Sequence, residues 1–188
     1  LYASVVFRPP LLSPVLTLMS GVALVEAIRC RAGLTVVLKW PNDLMVKRGV
    51  IRKLGGILSE AGASPTGLEY VVVGFGINLL AASNLSALSD TATSIESECG
   101  EVVPLEDLLV EVLAALSVWR ARMVDGQMNA ILNRWRTLSP SSIASAVELD
   151  GPSGVRRGTT AGIDADGALL VRVNGTTERV VSGEVRWV

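Results

Sequence analysis

Thr35-Val36-Val37-Leu38-Lys39-Trp40-Pro41-Asn42-Asp43 is a β-branched and aliphatic run that stops on a proline and opens into an amide and a carboxylate. Residues 35–40 read as a short strand. Pro41 ends it, because proline brings no N–H to a ladder. Asn42 and Asp43 then project from a strand end. An amide beside a carboxylate can hold Mg²⁺ and its waters, and Lys39 can face phosphate oxygens. On turn chemistry alone the plainer reading is a Pro-Asn-Asp turn closed by an Asx hydrogen bond.

Two later segments share this character. Lys53-Leu54-Gly55-Gly56-Ile57-Leu58 brings a lysine out of a strand beside two glycines, where a ligand can come close to bare backbone. An exposed lysine before a bulged strand explains it equally well. Gly74-Phe75-Gly76-Ile77-Asn78 follows the apolar run Tyr70-Val71-Val72-Val73, which reads as a buried strand. Its glycines fail the dinucleotide fingerprint, since Leu79 stands at the third glycine position, and the Gly-Lys-Ser/Thr ending of a P-loop is absent.

Outward from these segments, residues 1–8 read as a strand and residues 11–28 as a buried helix. Ser13-Pro14 sits at the start of that helix and Gly33 at its stop. Ser13, Thr17, Ser20 and Glu26 interrupt it too often for a membrane span. Residues 44–46 and 50–53 form a hairpin across Lys47-Arg48-Gly49, residues 62–67 read as turn-rich, and residues 81–90 as an ordered surface loop. Apolar residues at 105, 108, 109, 112, 116, 119 and 123 have helical spacing, with Glu106, Asp107 and Glu111 near the positive end of the macrodipole. A second helix covers about residues 128–137, with Trp135 as a core anchor. After Ser139-Pro140 the pattern turns all-β, with Asp166-Gly167 and Asn174-Gly175 as hairpin turns. The four or five short strands predict a small barrel, so the chain divides into residues 1–138 and 139–188.

Composition narrows the chemistry. The 188 residues carry a formal net charge of -1, which gives no general pull toward nucleic acid or an anionic membrane surface. Histidine is absent, which excludes Ser-His-Asp and Cys-His nucleophiles and any histidine metal ligand in this sequence. The two cysteines, Cys30 and Cys99, cannot build a disulfide framework or a four-thiolate zinc site, and a reducing compartment is the simplest setting. Of 17 basic residues only Lys39, Lys47 and Lys53 are lysines, all within one short window.

In this order and at these spacings, residues 39–43, 53–58 and 74–78 resemble the catalytic domain of biotin–protein ligases. Leu1-Tyr2-Ala3-Ser4, Ala92-Thr93-Ser94-Ile95 and the tail Ser182-Gly183-Glu184-Val185 look like family segments as well, so the resemblance covers essentially the whole chain. Phe75, where a smaller residue is usual, and Leu79, where valine is common, depart from the pattern. So does the absence of the family's upstream biotin-contact segment and arginine-rich loop. With Leu1 as first residue, this leads to the expectation of a chain lacking its N-terminal part, inactive or weak as given. A non-catalytic biotin-binding or regulatory fragment, or a lipoate-type ligase of the same fold, are the alternatives.

The resemblance implies an α+β fold. This is a class II aminoacyl-tRNA synthetase-like ligase domain, a mixed sheet with flanking helices, plus a small C-terminal SH3-like β-barrel. It implies a cytoplasmic ligase that forms biotinyl-5′-AMP from biotin and ATP with Mg²⁺ and passes biotin to a lysine of a biotin carboxyl carrier domain. Lys53 is the implied catalytic residue. The implied biotin contacts are Lys53, Gly55, Gly56, Ile57, Leu58, Gly74 and Gly76. Lys39, Trp40, Asn42, Asp43, Ile77 and Asn78 are implied on ATP, and Asn42 and Asp43 on the metal. Homodimerisation through a sheet edge is known in the family, DNA enters only with a preceding domain, and no membrane is expected.

Overall fold

The computed structural model describes residues 1–9, 13–65, 67–81, 91–151, 154–181, 183 and 185–188. Strand β1 (Tyr2–Phe7) is followed by helix α1 (Leu16–Ala32) and by β2 (Val36–Lys39), β3 (Asp43–Arg48), β4 (Val50–Ser64) and β5 (Gly67–Ile77). Three helices follow, α2 (Ile95–Cys99), α3 (Leu105–Val124) and α4 (Met128–Leu138). A 3-10 turn (Pro140–Ser142) then leads into β6 (Ile143–Gly151), β7 (Gly154–Ile163), β8 (Leu169–Val173), β9 (Thr176–Val180) and β10 (Val185–Trp187).

The strands make two five-stranded sheets, ordered β1-β5-β4-β3-β2 and β10-β6-β7-β8-β9. The α+β class stands, with two changes of detail. The first sheet is not mixed: all its strand pairings are antiparallel, because hairpins join β2 through β5 in succession and β1 closes onto β5. The second sheet has the expected hairpins, yet its described pairings run from β10 to β9 without closing a barrel.

Most of α1 is buried, from Leu16 through Ile28, because α3 and α4 cover it on one side and the first sheet on the other. Its start differs slightly from expectation. Ser13 accepts from the Val15 and Leu16 N–H groups through its Oγ (3.2 Å) and carbonyl (3.1 Å), and the helix begins at Leu16. Leu11 and Leu12 lie outside the described residues. Gly33 closes the helix as predicted, in the left-handed conformation (φ 62°) with its N–H on the Arg29 carbonyl. On α3 the buried residues Leu108, Val112, Leu116, Trp119 and Met123 follow the helical stripe, and on α4 Trp135 is buried beside Ile131 and Leu132. Glu26 ties the three helices, accepting from Trp119 Nε1 (2.7 Å) and Arg134 Nε (2.8 Å).

The stretch around residue 62 stays in β4 as far as Ser64 instead of turning early. Gly62 is covered by the Tyr70 ring of β5, at a distance where a Cβ would fall 2.2 Å from Cζ. Of the expected loop at 81–90, residues 82–90 lie outside the described residues. Helix α2 was not anticipated. Ser94 caps it by accepting from the Ser97 N–H.

One continuous apolar cluster runs through the helices and both sheets. Trp40 stitches the two sheets together. It is buried, and its Nε1 donates to the Gly167 carbonyl in the β7–β8 turn at 3.0 Å. Leu18 of α1 packs on the same glycine. Arg136 of α4 reaches the Ile163 carbonyl (3.0 Å), and Lys39 lies 4.8 Å from the Trp187 ring centroid. Among the described residues no helix is long and apolar enough to cross a membrane.

The β7–β8 turn also carries a pH-sensitive contact. Partial burial raises the Asp164 pKa, but the Arg179 ion pair and the Ala168 and Asp166 N–H donors outweigh it, so the carboxyl sits below its ordinary value. A depressed carboxylate contributes stability above its unfolded pKa and loses that contribution as pH falls through the folded one. Melting temperatures should therefore fall below about pH 4 more steeply for the parent than for Asp164→Asn. Trp40→Phe, which removes the hydrogen bond to Gly167 and keeps most of the apolar bulk, should cost about 1–2 kcal/mol in urea unfolding.

Candidate functional site

One row of cross-strand neighbours crosses the first sheet. Tyr2 of β1 faces Gly76 of β5, Gly76 faces Gly56 of β4, Gly56 faces Asp43 of β3, and Asp43 faces Lys39 of β2. Directly opposite residues point to the same face, so this row places two glycines between an aromatic ring and a carboxylate–lysine pair. The adjacent row on that face is Ser4, Gly74 and Leu58. The intervening residues, Phe75 and Ile57 among them, turn their side chains into the core on the opposite face. The alternation thus settles Phe75: its ring is buried and does not narrow the open face.

The missing side chains leave a cleft of about 640 Å³, bounded by Tyr2, Ser4, Asn42, Lys53, Leu58 and Ala92 with glycines as its floor. A Cβ on Gly76 would lie 3.0 Å from the Tyr2 ring, and one on Gly74 would lie 3.4 Å from Ser4 Oγ. Tyr2 (88% exposed) and Leu58 (62% exposed) form apolar walls open to solvent. Gly55 has a different role. A Cβ there would fall 2.3 Å from the Gly76 carbonyl oxygen, so the lack of a side chain at this glycine permits close strand approach, and Gly55 lines the cleft with main chain only.

Lys53 and Asp43 meet at the end of the glycine row, Nζ to Oδ1 at 2.5 Å, above Gly56. Lys53 reaches this position through a break in the ladder. Leu44 pairs with Gly55 and Met45 with Lys53, so Leu54 is skipped, which is the geometry of a bulge. The freed main chain finds other partners. Lys53 N–H donates to Thr91 O (2.8 Å), Thr93 N–H donates to Lys53 O (2.9 Å), and Asn78 N–H donates to Leu54 O (2.9 Å).

The expected site residues separate by what they present. Asn42 brackets Ile57, its Nδ2 donating to the Ile57 carbonyl (2.7 Å) while its own carbonyl accepts from the Ile57 N–H (2.9 Å). Asn78 uses its amide to donate to Thr93 O (3.0 Å). Ile57, Ile77 and Trp40 have buried side chains, so the first two can offer a ligand only main chain, and Trp40 is an anchor between sheets. Lys47 is an exposed residue of β3 away from both clefts. Tyr2, Ser4 and Ala92 also border the cleft. The period-2 alternation of β1 was the available signal for Tyr2 and Ser4.

A second, more polar cleft of about 720 Å³ adjoins the first. Lys39, Trp40, Asn42, Asp43 and Lys53 line one side and Arg186 and Trp187 of β10 the other. Asn42 and Lys53 border both clefts. Among the described residues no cluster of three acidic, cysteine or histidine side chains could hold a metal alone. The donors present suit a cation that arrives with phosphates and keeps its waters.

The model of the Biotin/lipoate A/B protein ligase family matches residues 1–78, and that of the biotin protein ligase C terminal domain matches residues 145–186. The biotin–(acetyl-CoA-carboxylase) ligase of Paracoccus denitrificans is 31% identical over 181 residues, covering 90% of this chain and 71% of that protein. The chain belongs to the biotin protein ligases. The family's bifunctional ligase/repressor BirA of Bacillus subtilis is 28% identical over 190 residues, and there the chain spans 57% of the relative's length. A biotin protein ligase from Aquifex aeolicus, solved in complex with biotin and ATP, shares the fold with a TM-score of 0.82. At 22% identity it covers 99% of this chain and 77% of that one. The second sheet, expected as a small C-terminal barrel, coincides with the family's C-terminal domain match.

Two substitutions separate the glycine roles. Gly55→Ala should lower the melting temperature by several degrees, since backbone must move to admit the methyl group. Gly74→Val should leave melting nearly unchanged but abolish binding in the glycine-floored cleft, read by calorimetric titration of biotin.

Proposed function

We propose that the chain is the ligase portion of an enzyme that activates biotin with ATP as biotinyl-5′-AMP and passes it to a lysine of a carboxylase carrier domain. The observation that carries this reading is the position of Lys53. Its ammonium lies where a glycine-floored cleft with apolar walls meets a polar cleft bordered by Lys39 and Arg186. The first suits a flat ureido ring and aliphatic tail approached by backbone groups. The second suits a nucleotide. Residues 1–138 are the ligase unit in this reading, and residues 139–188 are the C-terminal unit that walls the nucleotide side.

In the first step a biotin carboxylate oxygen bonds to the α-phosphorus of ATP, the bond to the bridging oxygen breaks, and pyrophosphate leaves. Two anions must meet while charge grows on phosphorus, so fixed cations govern the barrier. Lys53, a mobile ammonium with three donors, spans carboxylate and phosphoryl oxygens. In the resting arrangement Asp43 holds that ammonium in place. Asp43 and the Asn42 amide oxygen would hold Mg²⁺ carried by the nucleotide, which supplies charge neutralisation of the phosphates. Lys39, stacked near Trp187, faces the polyphosphate side, and Gly55, Gly56, Gly74 and Gly76 offer main chain to the biotin ring. In the second step the acceptor amine attacks the mixed anhydride, loses a proton, and AMP departs. Neither nucleophile is a protein histidine, in keeping with a histidine-free sequence. The requirement for ATP favours the cytoplasm. Repressor activity is named for the BirA relative.

Biotin-dependent exchange of pyrophosphate into ATP by the full-length protein tests the assignment. Lys53→Ala should lower the rate at least about a hundredfold, roughly 2.7 kcal/mol of transition-state stabilisation. A parent-like rate in that variant would remove Lys53 from the mechanism. Exchange driven by lipoate and not biotin would reassign the substrate.

A further inference from the structure

Glu98 sits on the last turn of α2, away from both clefts, with a side chain only 2% exposed. Its Oε1 accepts from Thr93 Oγ1 at 2.6 Å and from Arg52 Nη2 at 2.9 Å, and its main-chain carbonyl accepts from Arg48 Nη1 at 2.6 Å. Two arginines of the β3–β4 hairpin thus converge on one residue of a five-residue helix. The cluster is costly on its own terms, since a buried carboxylate must be desolvated and Arg52 Nε is buried without a partner. Replacing such buried pairs with well-packed apolar groups is often neutral or stabilising, so the pair is weak evidence for a stabilising role.

What the cluster touches supplies the reason. Arg52 precedes Lys53, and Thr93 belongs to the segment that replaces the sheet ladder for Lys53. The Lys53 N–H and carbonyl are bonded to Thr91 and Thr93, not to β5, whose pairing with β4 begins at Gly55. Thr93 is in turn held through its hydroxyl by Glu98 and through its carbonyl by Asn78. We propose that Glu98 is a positioning residue for Lys53. By locking Thr93 and Arg52 to one buried carboxylate, it clamps the chain on both sides of the Lys53 Cα, through Arg52 before it and through the Lys53 carbonyl after it, and so fixes where the Lys53 ammonium points. The catalytic part of this inference rests on the role of Lys53 proposed above. The mechanical part does not.

Three variants test it in the full-length protein, each first checked for folding by circular dichroism. Glu98→Ala removes the clamp. Glu98→Gln restores an acceptor for Thr93. Thr93→Val breaks only the link between Glu98 and the 91–93 segment, and it serves where Glu98→Ala does not fold. Brief acetylation followed by peptide mass spectrometry reads the mechanical claim, with the exposed Lys47 as internal reference. The ratio of Lys53 to Lys47 labelling should change at least about threefold in Glu98→Ala and Thr93→Val, as local opening frees the ammonium from Asp43, and return toward the parent in Glu98→Gln. Biotin-dependent pyrophosphate exchange should lose roughly tenfold to a hundredfold in kcat, with the KM for biotin within about twofold of the parent. In a Lys53→Ala background the same substitutions should change kcat little, because the group they position is gone. A parent-like labelling ratio in folded Thr93→Val, or full additivity with Lys53→Ala, overturns the proposal. A shifted ratio in a protein without biotin-dependent exchange supports the clamp and overturns the ligase reading instead.

Discussion

The site depends on a break in a β-ladder. Strand β4 pairs with β3 on one side and β5 on the other, but at Leu54 one residue is skipped against β3, and the pairing with β5 begins only at Gly55. Without that break, strict alternation would carry the register of residues 55–64 straight through Lys53. With it, the Lys53 main chain joins residues 91–93 and its ammonium meets Asp43 above Gly56. A bulge re-aims a side chain at the expense of local hydrogen bonds, and here three main-chain bonds from outside the sheet replace them.

The sheet is therefore two-sided. One face carries Phe75, Ile57, Val73 and Ile77 into a core completed by α1. The other carries glycines where side chains would stand, and it opens a cleft at the sheet's centre instead of its edge. The same β-strand period produces both faces. Helix α1 must then be apolar on nearly every side, which explains why its sequence resembles a membrane span in composition while its polar interruptions find partners, Thr17 on Ser59 and Glu26 on Trp119 and Arg134.

Residues 39–43 do two jobs at once. Trp40 turns inward and joins the second sheet at Gly167, while Lys39 and Asp43 share the open face. Read along the chain, the five residues look like one ligand loop. Folded, Trp40 turns inward while Lys39 and Asp43 stand on the open face. Ile57 and Ile77 teach the same lesson, since both stand inside site motifs yet place their side chains in the core. Motif membership identifies a segment, and strand parity decides which of its atoms meet a ligand.

The sequence by itself determined the class of fold, the helix stop at Gly33, the hairpins at Asn174-Gly175 and Asp166-Gly167, and the family, because these rest on local periodicity, turn chemistry and short motifs. It also singled out Lys39 and Lys53 among the lysines, and both border the second cleft. Only the tertiary structure decided that Tyr2, Gly76, Gly56, Asp43 and Lys39 form one row, since that row joins five strands separated in the chain and depends on register. It likewise decided that Trp40 is an anchor, that the second sheet runs open in its described pairings, and that Glu98 and Thr93 stand behind Lys53. These are long-range contacts between residues whose own neighbours in sequence say nothing of their partners.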